Sequence, residues 1–205
     1  MSSASSHIAN TSVAGLKPVR FTVQQFDQLL ASGALNEFHD QRIELFRGEL
    51  MHMTPPNPPH DYVVELIGTW ACDQTAHRRS ELSVRVQSSM DIVGVVSVPL
   101  PDLLIVRTQS YRQRRPGPND TLLLVEASDS SLSYDLREKM ELYADAGIKE
   151  YWVIDIPHRC LVRHLAPSNG RYSSLQTFDE HTRPVYSRQS NRQRIATLFH
   201  SRHPT

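Results

Sequence analysis

Leu122-Leu-Leu-Val-Glu126-Ala-Ser-Asp-Ser-Ser-Leu-Ser-Tyr-Asp-Leu-Arg-Glu-Lys139-Met-Glu-Leu-Tyr-Ala-Asp-Ala-Gly147 reads as a buried strand, a short polar turn and a helix. A brief apolar run bounded by turn residues is what a strand covered on both faces requires. Glu126 closes that run, where a carboxylate is costly to bury unless positive charge meets it. In the helix, Leu136, Met140, Tyr143 and Gly147 fall on one stripe, and Arg137, Glu138, Glu141 and Asp145 fall opposite. Lys139 stays out of the charged face. It lies roughly 60° from Leu136, at the edge of the apolar stripe. From there it either snorkels to solvent along its stem or reaches the sheet that carries Glu126.

The 205 residues suffice for one domain with a sizeable core. Residues 1–20 read as a disordered tail: rich in Ser, Ala and Asn, and without the apolar run of a signal peptide. Residues 21–178 carry the domain pattern. Residues 179–205 form an Arg-rich C-terminal segment, with no acidic residue after Glu180 and with Arg183, Arg188, Arg192, Arg194 and Arg202 following. Within that segment Ile195, Leu198 and Phe199 could make a last short element. No run reaches the ~18 apolar residues of a membrane span. Cys72 and Cys160 make no disulfide framework, so reduced thiols in the cytoplasm are expected. A formal net charge of zero argues against a surface coated for non-specific nucleic-acid binding. Arg112, Arg114 and Arg115, around a Pro-Gly-Pro loop, are either local phosphate contacts or a solvated loop.

Thr22 with Gln25 predicts a capping box opening a helix to about Ser32-Gly33. Gln41–Phe46, Arg47-Gly48 and Glu49–Met53 predict a β-hairpin. Pro55 to His60 reads as loop, followed by a helix over about Asp61–His77. Leu82, Val84 and Val86 alternate as a half-exposed strand, which Asp91–Val96 continues after a break. Pro99–Val106 is a second buried strand with Asp102 near its start. After the helix, Glu150–Ile156 is a strand, and Cys160–Leu165 returns as a hairpin. Tyr172–Phe178 adds one more strand. The order predicts a mixed α/β domain, a central sheet flanked by helices.

Asp102, Glu126 and Lys139 together outline a hydrolytic phosphodiesterase site; the alternative reading of acids at strand ends is as caps or partners of surface Arg. Two carboxylates on adjacent strands repel unless a cation sits between them. Mg²⁺ takes hard oxygen ligands from one or two carboxylates and keeps several waters. A nearby lysine can then orient an attacking water and offset charge developing on a phosphate. Other constellations are weak. Cys160 and His164 share a hairpin and His52 and His60 flank a loop, but no paired zinc motif, nucleophile elbow or phosphate-cradling glycine loop occurs.

Pro101-Asp102, Val125-Glu126-Ala-Ser-Asp-Ser-Ser, Tyr134-Asp135, Lys139, Tyr143, Gly147 and Glu150-Tyr-Trp-Val-Ile-Asp155 together resemble the Uma-type family of restriction-type endonucleases. That family, first catalogued as a domain of unknown function, belongs to the PD-(D/E)XK nuclease superfamily. Arg47-Gly48-Glu49, Met53-Thr-Pro-Pro and His60 are similar to its opening hairpin and loop, so the likeness runs from about Phe21 to Leu165. It implies a restriction-endonuclease-like fold: a central mixed β-sheet flanked by helices. It implies a Mg²⁺-dependent endonuclease acting on DNA, with Mn²⁺ as a substitute. By position Asp102 and Glu126 would be the metal ligands and Lys139 the catalytic lysine. That lysine would come from the helix, because Ser128 stands two residues after Glu126. Glu49 would assist, although Glu44 on the neighbouring strand could play a similar part. His60 could orient a phosphate or water, or simply close its proline-rich loop. Val98 and Leu100 flank Pro99 where similar sequences carry polar residues. Cutting both strands takes two sites, so a homodimer is one expectation. The rival expectation is a catalytically idle nucleic-acid-binding or interaction module of the same fold.

Overall fold

The computed structural model describes residues 18–38 and 42–179. The expected tail before residue 18, the start of the hairpin at Gln41, and the Arg-rich segment from Glu180 onward lie outside the described residues.

Helix α1 (Val23–Ser32) opens on the expected capping box, Thr22 and Gln25 satisfying each other's backbone N–H groups, and closes on Gly33 in the left-handed region. Strands β1 (Arg42–Phe46) and β2 (Glu49–Met53) form an antiparallel hairpin. Its turn residues Arg47 and Gly48 both have positive φ, 48° and 83°, as a tight turn matched to strand twist demands. Helix α2 (Pro58–Thr75) starts three residues earlier than the sequence suggests. Asn57 caps it by accepting from the His60 N–H, and the prolines at 58 and 59 fit the first turn, where a missing N–H costs nothing.

The central sheet runs in the order β3 (Leu82–Val86), β4 (Leu103–Arg107), β5 (Thr121–Ser128), β6 (Glu150–Asp155), β7 (Cys160–Ser168) and β8 (Arg171–Asp179). All neighbours are antiparallel except β5 and β6. That parallel pair is joined by helix α3, residues 132–145. The sheet is therefore mixed and flanked by helices, as expected. Residues 91–96 do not continue β3. They make a 3₁₀ turn at Val93–Val95 and rejoin through isolated bridges only. Their β-branched composition mimics a strand, but the chain must reverse here to lay residues 97–99 beside the hairpin.

Strand alternation sorts the core into two layers. Leu103, Ile105, Leu123, Val125, Trp152 and Ile154 face α2 and meet Ile67, Trp70 and Ala71. Leu104, Val106, Leu124, Tyr151 and Val153 face α3 and meet Leu142, Tyr143 and Ala144. Two covered faces explain the unbroken apolar runs of β4 and β5. No described helix is long and apolar enough to cross a membrane.

Candidate active site

The register that pairs Leu103 with Val125 sets Asp102 directly opposite Glu126 when extended by one residue. Opposed residues on antiparallel strands share a face, with Cβ atoms about 5 Å apart. The two carboxylates therefore project together towards α3. Both are buried.

Helix α3 supplies the positive charge in an unusual way. It begins as Leu132–Tyr134, widens into a π-helical turn at Asp135–Lys139, and resumes as Met140–Asp145. Asp135 and Lys139 are the buried residues of that turn, while Leu136 and Met140 are only partly covered. Lys139 thus lies at the centre of the buried stripe, not at its edge. It does not snorkel: its side chain is fully buried. Its ammonium is 3.0 Å from Glu126 Oε1, 3.3 Å from Glu44 Oε1 and 3.9 Å from Asp135 Oδ1. Tyr143 donates to the same Glu126 oxygen at 2.8 Å.

Glu44 reaches the cluster from β1 and is fully buried. Pro99 and Pro101 deny this segment ladder donors on either side of Leu100. Side chains of β1 take over: Leu100 donates its N–H to Glu44 Oε1 at 2.7 Å, and its carbonyl accepts from Arg42 Nη2 at 2.9 Å. Asp102 is held at both oxygens. Oδ1 accepts from Arg42 Nη1 at 3.3 Å, and Oδ2 accepts from the Ala127 N–H at 2.9 Å and lies 3.3 Å from His60 Nε2. Asp135 Oδ2 accepts from Ser128 and Ser131 at 2.7 and 2.6 Å.

The charges do not balance. Glu44, Asp102, Glu126 and Asp135 face Lys139 and Arg42, with His60 alongside. Burial raises Glu126 to about 8 against the pull of Lys139, and Asp135, Asp102 and Glu44 push the same way as burial. Burial likewise raises Asp135. Burial would lower Lys139, but Glu126, Glu44 and Asp135 outweigh it and hold the ammonium charged. Asp102 is drawn below the usual carboxylate range: burial opposes this, and His60, the Ala127 N–H and Arg42 overcome it. The hydrogen bond to Asp102 raises His60. Glu44 Oε2, Asp135 Oδ1 and His60 Nδ1 are buried without a hydrogen-bond partner among the described residues.

Above the cluster lies a cleft of about 230 Å³, lined among others by Arg42, Glu44, His60, Asp102, Glu126 and Asp135. Its roof is the end of β2 and the 54–57 loop, tied across the cleft by Asn57 Nδ2 donating to Asp129 at 2.5 Å. Lys139 is absent from the lining and stands behind the carboxylates. A donor set dominated by carboxylate oxygens, more acids than cations, and orphaned carboxylate oxygens fit a hard divalent cation. Among the described residues no three His, Cys, Asp or Glu side chains converge into a complete metal cage. A water-rich magnesium site asks for only one or two carboxylates.

The structure brings Asp102, Glu126, Lys139 and His60 together. It places Glu49 elsewhere. Glu49 pairs with Phe46 beside the hairpin turn, about 7 Å along the strand from the Glu44 position, and is bound to Arg20 at 3.0 Å on the surface. Glu44 occupies the buried position instead. The arginine loop also points away. Arg114 is bound to Asp120 and Arg115 to Asp27 and Asp91, Arg112 is exposed, and none of the three lines the cleft. Arg42 and Asp135 were not anticipated. An Arg-x-Glu pair within an otherwise apolar strand was the available sign of an inward polar face.

A family model described as Uma2, "Putative restriction endonuclease", matches residues 23–189. No curated protein matches the chain. Among solved structures, the crystal structure of a "putative nuclease belonging to DUF820" from Anabaena variabilis superposes with a TM-score of 0.57 at 11% identity, covering 80% of this chain and 98% of that one. At that identity the superposition speaks for the fold. With the family model spanning most of its length, this chain belongs to the Uma2 family.

Proposed function

We propose that this chain is a metal-dependent endonuclease that hydrolyses phosphodiester bonds of DNA. The observation that carries the reading is the cross-strand pair Asp102 and Glu126 at a cleft, backed by a fully buried lysine. Family membership supports a nuclease. Asp102 and Glu126 would hold Mg²⁺ or Mn²⁺. Such an ion supplies Lewis-acid polarisation of a phosphoryl oxygen and an acidified water.

The remaining work falls to the protein. Lys139 keeps Glu126 and Glu44 in place and favours the ionised form of Glu126, so it acts through them as a positioning residue. Glu44, anchored on the Leu100 N–H, keeps one buried oxygen unpartnered beside that ammonium. His60, at the cleft wall, offers an imidazole N–H to a phosphate oxygen or to water. In hydrolysis a water oxygen attacks phosphorus in line with the opposite P–O bond, which breaks, and the leaving oxygen takes up a proton. Free thiols at Cys72 and Cys160 suit a reducing, cytoplasmic compartment. Two such sites, as in a homodimer, would cut both strands.

The occupied state of Asp102, whose oxygens are taken by Arg42, His60 and a backbone N–H, favours a second reading: an idle DNA-binding module. One experiment separates them. Wild type, Asp102→Asn and Glu126→Gln are incubated with supercoiled and linear DNA in Mn²⁺. Cleavage by wild type and its loss in both variants is expected. DNA binding in all three proteins with no cleavage in any would install the second reading.

A further inference from the structure

We infer that Arg42 holds the place of the cation on Asp102 and, once released, clamps the phosphate of the substrate. The inference rests on the metal-dependent reading above. Arg42 lines the cleft with a side chain 18% exposed. Its two contacts differ in quality. The bond to the Leu100 carbonyl is a normal 2.9 Å, whereas the bond to Asp102 Oδ1 is stretched to 3.3 Å, long for a charge-assisted pair. Arg42 is therefore anchored by the backbone and only leans on the carboxylate.

Asp102 Oδ2 is committed to the Ala127 N–H, which the sheet fixes in place. Oδ1 is the oxygen that can be given up, and Arg42 is what holds it. When Asp102 takes a cation, Arg42 keeps its Leu100 anchor and turns Nη1 into the cleft. Two of its five N–H donors serve protein acceptors among the described residues. The remaining fork matches a phosphate. His60, on the far oxygen of Asp102, lies on the same cleft wall and can meet the same phosphate.

The two halves predict effects of opposite sign, which a merely structural role cannot produce. Mn²⁺ binding is measured by calorimetry on wild type, Arg42→Gln, Arg42→Lys and Asp102→Asn, with thermal melts to confirm folding. Thymidine 5′-monophosphate is then titrated into each Mn²⁺-loaded protein. Arg42→Gln should bind Mn²⁺ about fivefold more tightly, the factor a partly buried ion pair of this geometry is worth. It should bind the nucleotide at least tenfold more weakly, the loss expected for hydrogen bonds to a charged group. Arg42→Lys keeps the charge but not the fork, so Mn²⁺ binding should stay near wild type while nucleotide binding falls. Unchanged or weakened Mn²⁺ binding in Arg42→Gln, with binding still lost in Asp102→Asn, overturns the inference and leaves the metal reading standing. Absence of Mn²⁺ binding in wild type and Arg42→Gln alike, with and without nucleotide, overturns both.

Discussion

Replacing Lys139 by Met tests whether the buried cluster is an electrostatic unit. Met has nearly the same length and volume, so packing is largely conserved. The ammonium, however, stands within 3.0–3.9 Å of Glu126, Glu44 and Asp135. Removing one partner of a buried ion pair typically costs about 3–5 kcal/mol, because the other charge is left uncompensated. For a chain of this size that is a fall of roughly 10 °C in melting temperature at about pH 9.5, where Glu126 is ionised in wild type. The pH dependence gives the reasoning its sharpest form. Glu126 and Asp135 already have raised pKa values, and losing the lysine raises them further. A group raised in the folded state contributes stability that is fully present below its unfolded pKa and is lost as pH climbs through its folded pKa. Both proteins should lose stability as pH climbs from about 5; in wild type the Glu126 share of that loss ends as pH passes about 8, whereas in the variant it continues above 8. The extra penalty should therefore be smaller at about pH 6 and largest at about pH 9.5. Urea unfolding at both values measures it, and Lys139→Met/Glu126→Gln should recover part of the loss. A penalty of equal size at both pH values would mean that Lys139 acts by packing alone, and the electrostatic account would be wrong.

Three further substitutions check the placement of acids and the helix end. Glu49→Gln should leave Mn²⁺ binding unchanged and shift stability by no more than about 0.5 kcal/mol, since its pair with Arg20 is solvent-exposed; Glu44→Gln should weaken Mn²⁺ binding several-fold on the order of a buried charge contact. Calorimetry on both proteins decides it, and equal effects would undo the assignment. Gly147→Ala should cost about 1 kcal/mol, or a few degrees in a melt. Its φ is +76° and an added Cβ would meet nothing within 4 Å, so the cost is backbone strain alone.

The sequence carried much of this at the level of local pattern. The capping box at Thr22, the tight turn at Arg47-Gly48 and the two-face burial of Leu122–Val125 are short-range statements, and the structure matches them. Asp102 and Glu126 on adjacent strands were also expected, and the register that sets them opposite each other came from the structure. The choice between Glu44 and Glu49 did not. Both sit on the same face of one hairpin, and what separates them is the docking of β1 onto residues 98–100, a contact across more than fifty positions. The arginine loop, open in sequence between phosphate contacts and a solvated loop, posed a related problem. Its charges looked free in sequence, but Asp27, Asp91 and Asp120 meet them in space. Residues 91–96 misled through composition, since β-branched side chains favour strands only where a partner strand is available.

The position of Lys139 shows how the site can be assembled from pieces that the local rules treat separately. On β5 the residue two places after Glu126 shares its face, so a lysine there would project beside that carboxylate. Here that place is Ser128, and its hydroxyl donates to Asp135. Asp135 is in turn held by Ser131 and sits one turn before Lys139 on α3. The serine thus pins the start of the helix, and the helix returns a lysine over the same patch of sheet. A regular α-helix would leave Lys139 at the margin of the apolar stripe. The π-helical turn at Asp135–Lys139 admits one extra residue and rotates the stripe, so the two polar residues point inward while Leu136 and Met140 move to the sides. Such a turn gives up regular hydrogen bonding, and burying a lysine gives up its hydration. Three carboxylates around one ammonium offset the second cost. The first is the mark of a helix shaped for what it must deliver to the sheet rather than for its own stability.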